Sequence, residues 1–377
     1  MKSAGIVFSN LNENKNSCLT ADRTLAALPF ACRYRLVDFA LSNMVNAGIS
    51  NISVITNYNY RSLLDHIGSG KDWDLARRRG GITLFSPFQS ASSSRQVGVY
   101  KTHLEALQSI RPMLEDMEEE WIVMADCEYV FNPDLKEILR RHKESGFDMT
   151  LLATKGCSLF GEGVNRLFLK GDKEGRLTGA VIAKKRPKAY PLLFADTFIV
   201  NRLFLLQLLQ RASERGYTSL SRDIIAAGDE GYRIGIELYD GPVVSVGNFN
   251  DYFNESIRLT REPSAREALF GNPARPILTR VHNSSPAKYR GESCVRESMI
   301  ANDCVIEGRV ENSVLFRGVK VGRGSVVTNC VLFENTYVGE GCTLNCLVAD
   351  KSVLIGDGRH LSGHSTMPMY IPKERKV

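Results

Sequence analysis

The sequence predicts an α/β chain of two unlike parts, an open doubly wound sheet of Rossmann-like type followed by a left-handed parallel β-helix. Three observations carry that expectation. Short apolar runs, Ser3–Phe8, Ile52–Ile55 and Trp121–Asp126, alternate with stretches of helical spacing, the pattern of parallel strands joined by helices. Near the carboxyl end, Val305-Ile306-Glu307-Gly308, Val321-Gly322-Arg323-Gly324, Val338-Gly339-Glu340-Gly341 and Ile355-Gly356-Asp357-Gly358 recur at spacings of 16, 17 and 17 residues. That is the hexapeptide rhythm of a three-sided β-helix, with one aliphatic side chain turned inward on each face and glycines at the corners. The length, 377 residues, exceeds the size at which one core usually divides. The expected divisions are a first domain over 1–247, an interdomain helix and linker over 248–290, and a β-helix over 291–377.

In chain order, Ser3–Phe8 reads as the first strand, so the loop after it lies where open α/β sheets hold ligands. Pro29–Asn57 reads as loop, helix, cap and strand. Asp38 stands ahead of Phe39, Leu41, Met44 and Val45 at helical spacing, and Asn46-Ala47-Gly48 ends the helix. Residues 58–67 and 99–111 read as helices, 80–87 as a strand with its entry turn, and Trp121–Asp126 as a strand with an aspartate at its carboxyl end. Pro133 opens a helix, Phe147–Ala153 forms a strand, and Asn165–Leu169 pairs with Arg176–Ala183 as a hairpin. Ser219–Ala226 is a capped helix, Tyr232–Tyr239 and Pro242–Val246 are strands, and Asn250–Arg266 is the interdomain helix.

The segment Pro29-Phe30-Ala31-Cys32-Arg33-Tyr34-Arg35-Leu36-Val37-Asp38-Phe39-Ala40-Leu41-Ser42-Asn43 resembles the PF-GG-KYRLIDF-LSN signature of the glucose-1-phosphate adenylyltransferases. The likeness continues through Ile67-Gly68-Ser69-Gly70, Trp73-Asp74-Leu75 and the repeats, covering nearly the whole chain. It implies a nucleotidyltransferase-like first domain. The departures resemble the GlgD branch of bacterial glycogen synthesis, a degenerate partner of the catalytic GlgC subunit.

Those departures fall on the positions where the family does its chemistry. The glycine-rich GGxGxRLxxLT phosphate loop is replaced by Ser9–Thr20, and no glycine occurs from Ser9 to Ala27. Side chains there block the close approach of backbone N–H groups to phosphates, and Glu13 adds negative charge. In the segment matching Arg-Ala-Lys-Pro-Ala, Arg23 is kept and the lysine has become Leu25. Gly98-Val99-Tyr100-Lys101 stands for Gly-Thr-Ala-Asp, which in the family lies against the base. Asp126 matches the first metal carboxylate of the family, and a turn cap is an equal reading of the same residue. Ser245 takes the place of the second metal ligand, and Lys185-Arg186-Pro187 replaces the sugar-site Glu-Lys-Pro. The catalytic remnants are therefore Asp126 and Arg23, with no complete metal site.

Four cations remain as candidates for holding an anion. Arg33 and Arg35 flank Tyr34 in a stretch without acidic residues, where the resemblance places effector-responsive basic groups, and two solvated arginines are the other reading. Lys185 and Arg186 keep positive charge at the sugar-phosphate position.

The balance of 48 basic and 42 acidic residues, without a basic stripe interleaved with aromatics, argues against nucleic acid as a partner and suits small anions better. No apolar run approaches the roughly 20 residues a membrane span needs. Nine cysteines, an odd number without framework spacing and without a leader-like start, point to reduced thiols in a cytoplasm. Cys342, Cys346, His360 and His364 are spaced for β-helix core and corner positions rather than for convergence on zinc.

Together these readings lead to an expected regulatory subunit with little or no activity alone. It would assemble, as a tetramer, with a catalytic subunit that uses Mg²⁺, and respond to a phosphorylated small-molecule effector. A weakly active sugar-phosphate nucleotidyltransferase is the alternative. A hexapeptide acyltransferase is disfavoured, because the β-helix is an appendage without the loop and histidine such enzymes need.

Overall fold

A computed structural model describes residues 2–9, 18–86, 100–156, 164–228 and 231–377. The chain divides into two compact units, Met1–Leu28, Leu36–Gly247 and Ala268–Leu278 in one, Pro29–Arg35, Asn248–Glu267 and Thr279–Val377 in the other. The segment 29–35 is thus a sequence-local insertion that belongs with the carboxyl-terminal unit. Among the described residues, no helix is long and apolar enough to cross a membrane, and every cysteine is free.

The first unit is built on a nine-stranded mixed sheet. Ser3–Phe8 lies at its centre, parallel to Asn51–Ile55 on one side and to Trp121–Asp126 on the other, and Gly81–Phe85 extends the first side. All but the first of the Ser3–Phe8 side chains are buried, as a strand covered on both faces requires. The sheet is not wholly parallel. Leu192–Asn201, a strand with no counterpart in the sequence reading, runs antiparallel to Trp121–Asp126, Met149–Thr154 and Arg166–Gly171. Its period-2 pattern is broken at Asp196, where φ is +45° and the register shifts between Phe194 and Phe198. A bulge of this kind re-aims one side chain, here a carboxylate.

Helix α1 spans Leu36–Asn46. It starts two residues before Asp38, so Asp38 sits inside the first turn rather than ahead of it, fully buried, with Oδ1 2.6 Å from His66 Nε2. His66 lies on α2 (Arg61–Ile67) and meets Trp73 edge-on at 5.7 Å. The expected helix 99–111 is two helices among the described residues, α3 (His103–Ser109) and α4 (Arg111–Asp116), because Pro112 at the start of a turn cannot continue the preceding ladder. Helix α5 (Leu135–Ser145) is capped by the side chain of Asp134, and α6 (Arg202–Arg215) by Asn201. Residues Leu220–Ala226 form a π-helical turn capped by Ser219.

In the second unit the coils stack with the register the repeat implies. Ile306, Val321, Val338 and Ile355 form one inward column; Val310, Val327 and Leu344 form the second; Leu315, Leu332 and Ala349 the third. All ten are at most 1% exposed. The expected single helix Asn250–Arg266 is α7 (Phe249–Arg261) and α8 (Pro263–Phe270), divided at Pro263. Helix α7 covers one β-helix face: Val314, Val331 and Val348 point outward there and are still 0% exposed, and Phe249 meets Tyr370 at 5.9 Å. The inserted hairpin joins this packing, since the buried Tyr252 hydroxyl donates to the Pro29 carbonyl at 2.7 Å.

Candidate functional site

The strand Trp121–Asp126 delivers Asp126 to the carboxyl-end edge of the sheet, where the chain turns through Cys127 and Glu128. Asp126 is 4% exposed. Its Oδ1 accepts from the backbone N–H of Cys127 at 2.6 Å and of Glu128 at 3.2 Å, which is a turn cap. Its Oδ2 lies 3.2 Å from Nε2 of His103. Both oxygens are committed.

His103 opens α3, next to the capping Thr102, with its ring edge-on to Phe8 at 4.6 Å. Burial by itself would lower its pKa. The hydrogen bond from Asp126 and the nearby carboxylates of Asp126, Asp196 and Glu128 outweigh that, and the net shift is upward. The imidazole is thus biased toward its cationic form.

Beyond the turn, Tyr129–Val130 pairs antiparallel with Val244–Ser245, and Val246 N–H donates to the Glu128 carbonyl at 2.9 Å. This pairing brings Ser245, fully buried, beside the Asp126 turn. The two positions that the resemblance assigns to metal carboxylates therefore do lie on neighbouring segments, but they present one occupied carboxylate and one hydroxyl. Glu128 and Arg166, 2% and 3% exposed, press toward Gly247. A Cβ at Gly247 would stand 2.4 Å from Glu128 Oε1 and 3.5 Å from Arg166 Nη2, so glycine is needed for that close approach.

A cavity of about 180 Å³ opens here, lined by Lys101, His103, Glu128, Asn165, Arg166 and Asp196 among others. Its carboxylates are accompanied by protein cations, His103 and Arg166. Among the described residues, no three His, Cys, Asp or Glu side chains form a group able to hold a metal ion. The donor set does not fit Mg²⁺, which requires near-octahedral oxygen ligands with carboxylates free to bind it.

The remaining predicted residues are dispersed. The replaced phosphate loop from Asn10 to Ser17 lies outside the described residues. Arg23 is buried at 3% exposure, and Leu25, in the lysine's position, is buried at 1% in a short 3₁₀ turn. Lys185 is exposed and Arg186 donates to the Lys155 carbonyl at 2.8 Å; neither lines the cavity. Arg33 is exposed and stacks over the Tyr34 ring at 5.4 Å, whereas Arg35 is half-buried near Glu334. Burial would raise the Glu334 pKa, but Lys351, 3.3 Å away, and Arg35 hold it below the ordinary value. Arg33 and Arg35 belong to one unit, Lys185 and Arg186 to the other. Sequence reasoning did not single out Glu128, Arg166 or Asp196. Glu128 stood in the quoted strand-tip turn, which was the only signal; Asp196 lay in a stretch without an assigned element.

Comparison with known proteins bears on this geometry. Residues 17–157 match the nucleotidyl transferase family model, and residues 283–365 match the GlmU-like C-terminal hexapeptide model, the left-handed parallel β-helix expected from the repeat. The chain is 36% identical over 310 residues to the glycogen biosynthesis protein GlgD of Geobacillus stearothermophilus, covering 82% of this chain and 78% of that protein. The chain belongs to the glucose-1-phosphate adenylyltransferase family. It is 31% identical to GlgD of Bacillus subtilis, over 85% of this chain and 81% of that protein. It is also 31% identical to the glucose-1-phosphate adenylyltransferase of Thermosipho africanus, over 82% of this chain and 74% of that protein. Within the adenylyltransferase family, then, the chain has relatives of both kinds of printed name.

Proposed function

We propose that this chain is a non-catalytic, or nearly inactive, regulatory subunit of a glucose-1-phosphate adenylyltransferase that serves bacterial glycogen biosynthesis. The reaction is ATP plus glucose 1-phosphate to ADP-glucose plus pyrophosphate. The observation that carries the reading is Asp126: its carboxylate is occupied by two backbone N–H groups and His103, opposite Ser245. Adenylyl transfer relies on positioning and on neutralising phosphate charge, and each lost electrostatic group costs about 3 kcal/mol of transition-state stabilisation. The loop glycines, the lysine at Leu25, the carboxylate at Ser245 and the sugar-site glutamate are all replaced. Even with strong non-additivity, little turnover is left.

What remains suits assembly and regulation. On this reading the chain joins a catalytic, Mg²⁺-using relative in a tetramer, and Arg33 and Arg35 sense a phosphorylated effector. The experiment is an assay with Mg²⁺, ATP and glucose 1-phosphate, of this chain alone, of the catalytic relative alone and of the two combined. Background pyrophosphate release alone and altered activity in the mixture are expected. A turnover alone near the enzyme median of about 10 s⁻¹ overturns the reading. The open cavity with its buried Arg166 favours one second reading, a weakly active sugar-phosphate nucleotidyltransferase, which the same assay separates.

A further inference from the structure

The β-helix has three faces, and its outward apolar residues are unevenly distributed over them. One face carries Val314, Val331 and Val348 outward, and helix α7 of the same chain covers them completely. A second turns mostly polar groups outward, Arg309, Glu311, Thr343 and Asn345 among them. The third is different. Its short strands align Lys288, Val305, Lys320, Tyr337 and Leu354 in one outward column, and a bridge from Leu354 adds Lys376. Tyr337 and Leu354 are 41% and 42% exposed, Val305 is half-buried, and the three lysines are exposed. No element of the chain covers this column as α7 covers the first.

We infer that this column is the docking face for a partner subunit whose matching strip is apolar opposite Val305, Tyr337 and Leu354 and acidic opposite Lys288, Lys320 and Lys376. The inference rests on the assembly reading above and names the surface it uses. Charge decides against a second copy. If two copies meet with their coils in the same order, Lys288, Lys320 and Lys376 each face themselves. If the order is reversed, Lys288 faces Lys376 at both ends of the strip. Like charges brought together in an interface cost several kcal/mol, whereas carboxylates at those rungs turn the same lysines into attractive, orienting contacts. The strip is six rungs, about 24 Å long at the usual strand spacing. It covers a few hundred Å² of the roughly 800 Å² per partner that a stable interface needs, so it is one part of a larger contact.

The test uses the full chain with the catalytic adenylyltransferase of its source organism, association being measured by titration calorimetry and sedimentation. Leu354→Glu and Lys320→Glu point outward and leave the melting temperature unchanged; each is expected to weaken association about tenfold or more. Thr343→Glu, on the polar face, is expected to bind as wild type, and wild-type association is expected to fall with added salt. Equal binding by Leu354→Glu and Thr343→Glu overturns the assignment of this face while the assembly reading stands. A homodimer of this chain alone that Leu354→Glu dissociates makes the occupant a second copy and overturns the charge argument. Absence of any association by the wild type overturns the assembly reading and this inference together.

Discussion

Replacing Glu255 with glutamine should stabilise the carboxyl-terminal unit at alkaline pH relative to acidic pH. Glu255 lies on α7 with its side chain 0% exposed, 2.7 Å from Arg258, and its Oε1 has no hydrogen-bond partner. Arg258 is shared with Glu262 at 2.6 Å. Burial is the main influence on the carboxyl, pushing it from the ordinary 4.5 up to about 7; Arg258 opposes that rise, and Asp251 and Glu262 add to it. Below about pH 4.5 the folded and unfolded chains both hold the proton, and the group costs nothing. Between 4.5 and about 7 the unfolded chain releases the proton while the folded chain keeps it, so stability falls as pH rises. Above about 7 the full penalty stands, about 3 kcal/mol for an interval of that width. Glutamine keeps the shape, removes the titration and offers an N–H donor. The stability difference between Glu255→Gln and wild type should therefore shift in the variant's favour by about 2–3 kcal/mol from pH 5 to pH 8. Urea unfolding of both proteins at the two pH values measures it. A difference that is constant with pH, or that moves in favour of wild type as pH rises, refutes the reasoning and makes Glu255 an ionised partner of Arg258.

Four further outcomes are expected. Arginine at Leu332, an inward rung at 0% exposure, buries a charge with no counter-ion among the aliphatic columns and should abolish the β-helix transition in a thermal melt. Gly322→Ala should destabilise by about 1–3 kcal/mol, because its Cβ would stand 2.5 Å from the Gly339 carbonyl oxygen, whereas Gly356→Ala, with nothing nearer than 3.4 Å, should be close to neutral in the same denaturation series. His66→Ala removes the imidazole from the buried Asp38 carboxylate and should cost about 3 kcal/mol, read as a lower urea midpoint at unchanged slope. Substituting Arg33 and Arg35 with alanine should weaken the response of the mixed complex to sugar-phosphate effectors while assembly persists; an unchanged effector titration assigns them to a solvated surface.

The order of elements and the β-helix were legible because periodicity is a local property. A strand such as Trp121–Asp126 or a rung such as Val338 declares itself by its own neighbours in sequence, and the aliphatic repeat sets which residues share an inward column. The losses of glycine from the phosphate loop, of lysine at Leu25 and of carboxylate at Ser245 were equally plain, since each is a residue type at a motif position. Tertiary structure alone decided the rest. Leu192–Asn201 sits in the middle of the sheet although Asp196 interrupts its alternation, because a bulge stabilised by strands on both sides lets one polar residue leave the core. Asp126 could have been a metal ligand or a turn cap from its position; the answer came from His103, 23 residues away, and from the backbone of its own turn. Arg166 and Glu128 meet near Gly247 only because separate segments return to one sheet edge. Whether an outward valine is covered or bare was likewise beyond the repeat itself. Val331 and Leu354 both face away from the β-helix axis, and only the path of α7 buries the first and leaves the second exposed. Burial and partnership are properties of contacts between distant segments, and a local pattern carries no information about which segments meet.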